Sequence, residues 1–109
     1  RILSMFRFST AEVSGNSMSP TYSAGDWLLI RYLSGQEHTL VSGLVYLIED
    51  PTRPGINLLK RLKEVRLENG VTRYWVEGDN LASTDSRQWG WIEKDRFKAK
   101  VLLRYKKGD

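Results

Sequence analysis

Ser17 stands in "VSGNSMSPT", residues 13–21, between small and turn-forming residues and just ahead of a proline. A serine becomes a nucleophile only when a neighbouring base takes its proton. The usual base is scarce in this chain, which has one histidine, His38, set in the polar segment "SGQEHTL" and read as a solvated loop residue. There is no cysteine, so thiolate chemistry and a disulfide framework are both excluded. One histidine without cysteine also makes a zinc site improbable, and no metal or cofactor is expected.

A lysine can replace histidine as the base if burial strips its charge. In "INLLKRLKEVRL" side chains alternate between two faces, so Ile56, Leu58, Lys60 and Leu62 point one way and Asn57, Leu59, Arg61 and Lys63 the other. If the first face is the core side, an ammonium is placed among aliphatic groups. Burial disfavours its charged form and lowers its pKa from about 10.4 toward the range of a useful base. The same pattern also allows Lys60 to pack its stem and keep its head in water at the sheet edge.

The elements that must position these residues read as strands. Alternation and turn signals place them at Trp27–Leu33, Leu44–Glu49, Ile56–Leu67, Val71–Gly78 and Phe97–Tyr105. Asn69-Gly70, between two alternating runs, predicts a tight hairpin because both residues tolerate positive φ. "DPTRPG" must break the second strand. In the last strand Phe97, Ala99, Val101, Leu103 and Tyr105 share one face. The short "STAEVSG" could hold a helical turn, and no stretch supports a longer helix. The expectation is one mainly β domain over residues 1–109, barrel-like, with strongly bent antiparallel sheets and little helix.

Seventeen Lys and Arg against thirteen Asp and Glu leave a net charge of +4, but the cations are scattered apart from "KRLKEVR" and "RYKK". That balance reads as solubility rather than a nucleic-acid footprint, although a basic β-barrel using the "KRLKEVR" strand is a conceivable oligonucleotide platform. No apolar run approaches the length of a membrane span. The chain starts at Arg1, so membrane association is expected only if an N-terminal anchor has been removed.

Four segments in order, "SGNSMSPT", "GD" (Gly25-Asp26), "LLKRL" and "VEGDNLASTDSRQWGWI", resemble the consecutive motifs of the signal peptidase I superfamily. The resemblance spans residues 13 to 92, and the long glycine-aspartate-asparagine segment is its most specific part. It implies a serine-lysine dyad, with Ser17 as nucleophile and Lys60 as general base. Ser83 would hydrogen-bond and orient the lysine, while Asp85 and Arg87 form a supporting ion pair. Gly78, Asp79 and Asn80 would shape the adjoining turn. The oxyanion site would fall at Gly15, Asn16 and Met18 around the Ser17 amide. Gly15 occupies a position where some members carry a serine donor, so the second donor is open.

The physics of a lysine base adds one requirement: Asp85 should engage Arg87 and not Lys60, because a carboxylate beside the lysine would hold it protonated. The tail, with "ASTDSR" and "VLLRY", is most similar to the small proteases that mature nickel-type superoxide dismutase by trimming an N-terminal extension. That similarity implies a cytoplasmic endopeptidase acting on a precursor protein bound as an extended peptide, with no nucleic acid as partner. The alternative is a general signal peptidase, membrane-anchored, whose anchor was removed. Trp89 and Trp91 are candidates for lining the peptide groove.

Overall fold

The computed structural model describes residues 7–33 and 39–108. The expectation for His38 falls outside them. Six strands form one antiparallel sheet: β1 (Arg7–Glu12), β2 (Trp27–Tyr32), β3 (Val45–Glu49), β4 (Asn57–Glu68), β5 (Val71–Glu77) and β6 (Phe97–Lys106). Their spatial order is β1-β2-β6-β3-β4-β5, so the last strand of the chain is inserted between β2 and β3. Among the described residues β1 and β5 form the two borders, and the barrel-like sheet is not closed by pairing between them. Register shifts between Trp27 and Leu28, Leu29 and Ile30, Leu47 and Ile48, and Leu62 and Glu64 interrupt the ladders. Bulges of this kind bend a sheet and increase its twist.

β3 buries both faces. Tyr46 and Ile48 belong to one apolar cluster with Leu62, Val76, Ile92 and Phe97. Val45 belongs to a second cluster with Val13, Met18, Leu28, Ile30 and Val101, and Leu47 packs against it. A strand covered on both sides needs a nearly continuous apolar run, which "LVYLI" supplies. β4 divides in the same way, with Leu58 packed against the first cluster and Leu59 against the second. Lys60 therefore shares the side of Leu58 and Leu62, and its cross-strand partner is the buried Tyr46.

Two local expectations are corrected, and one short element is added. Residues 7–12 form a strand rather than a helical turn, pairing along their whole length with β2; Ser9, Thr10 and Ala11 are too small and polar to announce an edge strand. The expected common face of β6 splits. Phe97 enters the first cluster, Ala99 and Val101 the second, and Leu103 and Tyr105 are about half exposed. The register shift opposite Leu47 and Ile48 moves Phe97 to the Ile48 side, and the shift between Leu29 and Ile30 likewise takes Leu103 off the face of Val101. Finally, Ser86–Trp89 forms one turn of helix, α1, capped by Asp85.

Candidate active site

Ser17 lies in the loop between β1 and β2, held at both ends. The Val13 amide donates to the Asp26 carbonyl at 2.8 Å, and the Gly25 amide donates to the Val13 carbonyl at 2.9 Å. Asp26, of the Gly25-Asp26 pair, is buried and accepts from the Ser23 amide (2.9 Å), the Gly108 amide (2.7 Å) and Arg104 (3.1 Å). These bonds, the Ser23 amide foremost, hold its carboxyl below the ordinary aspartate pKa and outweigh burial. Within the loop, Gly15 takes a φ of 78°, which a side chain would strain. Met18, next to Ser17, is 1% exposed and packs into the second cluster. The loop thus buries one side chain so that its neighbour can stand at the surface of a cavity.

That cavity, of about 280 Å³, is lined by Ser17, Lys60, Gly15, Asn16, Leu58 and Thr84 among others. Lys60 is 2% exposed. Its pKa is pushed down, first by burial and further by the charge of Arg87, while the charges of Asp85 and Asp50 pull it back up. No salt bridge to Lys60 forms among the described residues, nor does a hydrogen bond join it to Ser17. Catalytic hydrogen bonds are often loose before substrate arrives, so a shared cavity is the relevant geometry.

Residues 78–87 wrap over this arrangement. A Cβ on Gly78 would lie 2.5 Å from the Ser17 carbonyl oxygen and collide with the Ser83 hydroxyl, so only glycine fits between the two serines. The Asn80 amide donates to the Ser17 carbonyl at 2.9 Å, and the Asn80 side chain donates to the Asn16 carbonyl at 3.0 Å. Asp79 takes both Nε and Nη2 of Arg61, at 2.9 and 2.7 Å, and accepts from the Thr21 hydroxyl at 2.6 Å. Arg61 also donates to the Gly43 carbonyl at 2.6 Å. Lys60's neighbour on β4 is thereby clamped, and the serine loop is tied to the turn that carries Asp79.

Asp85 is fully buried and lies in a dense set of donors. Arg87 reaches it through Nε (2.9 Å) and Nη2 (2.6 Å), the Gly78 amide donates at 2.8 Å, and the Ser83 hydroxyl donates as well. Burial alone would raise this carboxyl's pKa. The side-chain bonds from Arg87 and Ser83, with the backbone amides of Gly78 and Arg87, instead hold it far below the usual carboxylate range. Asp85 also caps α1, with Gln88 completing a reciprocal capping box.

Of two expected relationships, one differs and one holds. The Ser83 hydroxyl, expected to bond Lys60, is committed to Asp85 and accepts from Arg87 at 3.2 Å. Asp85 is bonded to Arg87 as expected, yet its charge still acts on Lys60.

Beside the cavity that holds Ser17 and Lys60, a groove of about 360 Å³ lies between β1 and β4, lined by Ala11, Val13, Leu47, Asn57 and Leu59 among others, and by Ser17 as well. Trp89 and Trp91 do not line it. They border a different cavity with Pro51, Glu93 and Arg96, and Trp91 stacks edge-on against Trp75 at 5.2 Å. Thr84, Asp50 and Arg53 border or influence the site without having been singled out from sequence; "DPTRPG" was legible only as a chain break. Among the described residues no group of three or more His, Cys, Asp or Glu side chains is placed to hold a metal ion.

Residues 1–65 match the family described as signal peptidase, peptidase S26. The mitochondrial ATP-independent inner membrane protease subunit 1a of Arabidopsis thaliana is 32% identical over 118 aligned positions, covering 88% of this chain and 69% of the relative. The mitochondrial inner membrane protease subunit 1 of Xenopus tropicalis is 30% identical over 110 positions, covering 84% of this chain and 65% of the relative. The chain therefore spans about two thirds of the length of these relatives. With the matched segment carrying both the Ser17 loop and the Lys60 strand, this chain belongs to the signal peptidase S26 family of proteases.

Proposed function

We propose that the protein is a serine endopeptidase in which Ser17 is the nucleophile and Lys60 the general base. The observation that carries this reading is a lysine 2% exposed, its pKa pushed down, lining one cavity with Ser17. Uncharged Lys60 takes the hydroxyl proton as Ser17 Oγ bonds to the scissile carbonyl carbon. The resulting ammonium then gives that proton to the leaving amine as the carbon–nitrogen bond breaks, leaving an acyl-enzyme. Water, deprotonated in turn by Lys60, adds to the acyl carbon, and the lysine returns that proton to Ser17 Oγ as the carbon–oxygen bond of the acyl-enzyme breaks. The Ser17 amide supplies one donor to the oxyanion, while Gly15, Asn16 and Met18 shape the loop that presents it. Ser83, Asp85 and Arg87 act at one remove by fixing Gly78 and Asn80 beneath the serine.

The substrate on this reading is a precursor protein that lies extended in the groove between β1 and β4. Of the two proteolytic alternatives, the general signal peptidase is better supported than maturation of nickel-type superoxide dismutase, since both relatives are inner membrane proteases by name. A membrane-associated location accompanies that choice. No helix among the described residues is long and apolar enough to cross a membrane. The nucleic-acid platform loses ground, because Lys60 is buried and Arg61 is taken up by Asp79.

The test is to incubate the protein with precursor-derived peptides and identify new termini by mass spectrometry. Cleavage that disappears in Ser17→Ala, with an acyl adduct on wild-type Ser17, is expected. Cleavage that persists in Ser17→Ala rules the reading out.

A further inference from the structure

Arg53 has a position that the dyad does not explain. The segment from Asp50 to Ile56 is a tight turn at the end of β3. The Asp50 amide donates to the Ile56 carbonyl at 2.8 Å, and the Ile56 amide returns to the Arg53 carbonyl at 3.1 Å. The buried Asp50 carboxylate accepts from the Thr52 amide (2.8 Å), the Thr52 hydroxyl (2.7 Å) and Arg53 Nε (2.9 Å). One edge of the guanidinium is thus fixed to a buried anchor. Its two Nη groups make no hydrogen bond among the described residues, and the side chain is 62% exposed.

The fork is also placed where two cavities meet. The β1–β4 groove and the catalytic cavity share Ser14, Ser17, Leu58 and Arg53, and of these only Arg53 is charged. A peptide running along the groove to Ser17 must pass it. Glu12 lines the groove but not the catalytic cavity, so an acidic side chain is repelled farther along and attracted close to the serine.

We propose that Arg53 is a specificity-determining residue that pairs with the carboxylate of an Asp or Glu side chain flanking the scissile bond. The inference rests on the peptidase reading above. A half-anchored guanidinium with free parallel donors matches a carboxylate in two-point contact and loses little freedom on binding. Lys60 cannot perform this role, since the dyad requires it uncharged.

The experiment is a competition among C-terminally amidated peptides that share one cleavable core. They carry Asp, Asn or Lys at each of the two positions on either side of the cut. Amidation leaves side-chain carboxylates as the only variable anions. Mass spectrometry gives the ratio of kcat/KM values for wild type, Arg53→Gln and Arg53→Glu. Wild type is expected to prefer Asp over Asn by about ten-fold at one position, the size of one charge-assisted hydrogen bond. Arg53→Gln should erase that ratio, and Arg53→Glu should invert it toward Lys. An unchanged ratio in Arg53→Gln, even with every peptide cut more slowly, reduces Arg53 to a structural partner of Asp50 and overturns the inference alone. If wild type cleaves none of the peptides, the peptidase reading falls and the inference with it.

Discussion

The backbone amide of Asn80 donates to the carbonyl oxygen of Ser17 at 2.9 Å. The peptide unit of the proposed nucleophile is therefore held from the turn after β5 rather than by its own loop. Gly78 makes that approach possible, since any Cβ there would fall 2.5 Å from the same oxygen.

Gly78→Ala should accordingly damage fold and activity together. The Ser83 side chain could move aside, but the Ser17 carbonyl is backbone and cannot move without shifting the loop. Forced overpacking of this kind costs about 1–3 kcal/mol. Urea denaturation should show that loss, and peptide cleavage should fall more steeply than stability at room temperature. Unchanged values for both would mean that the two segments are not in contact.

Much of the scaffold was legible from local pattern. Asn69 and Gly70 take φ values of 52° and 78° at the turn between β4 and β5, as two residues of a type I′ hairpin must. The alternation that set Lys60 beside Leu58 and Leu62 matches the sides those residues occupy. What escaped depends on partners distant in sequence. β1 is defined by its ladder to β2, and the clamp of Asp79 on Arg61 and Thr21 leaves no local trace. The bulge that turns Phe97 away from Ala99 is a property of the sheet and not of the strand. The capping box was different: Asp85 followed three residues later by Gln88 is a local signal for the start of α1 that could have been read.

Asp85→Asn tests the buried ion pair. Its removal leaves the Arg87 guanidinium, about a quarter exposed, without a countercharge, and weakens charge-assisted hydrogen bonds that contribute about 1.5–3 kcal/mol. The pH dependence follows from a folded-state pKa depressed below the ordinary 3.8. Stability contributed by the carboxylate is fully present above that ordinary value and is lost as pH falls toward the folded one. Denaturation at pH 7 should therefore show a large gap between wild type and variant, and at pH 3 a smaller one. A gap independent of pH would show that the charge of Asp85 is not what stabilises the turn.

Lys60→Met separates catalysis from folding. A lysine whose folded pKa is lowered weakens the fold wherever the unfolded chain binds the extra proton. In that window, from the lowered value up to the ordinary 10.5, wild-type stability rises with pH. Methionine fills a similar volume without the charge, so the variant should be inactive yet at least as stable at pH 7. Lys60→Arg should be inactive as well, because a guanidinium stays protonated above pH 12. Thermal unfolding and peptide cleavage measured on the same preparations check both statements. An active arginine variant would remove the need for an uncharged base.

The most direct test is the pH dependence of kcat/KM for the wild-type protein on one peptide without titrating groups. An uncharged Lys60 acting on Ser17 predicts a rate that is negligible in acid. It should climb ten-fold per pH unit and level off at a midpoint clearly below 10.5. A rate already flat from acid pH, or one that rises only around the value of a free lysine, would contradict a buried amine as the base.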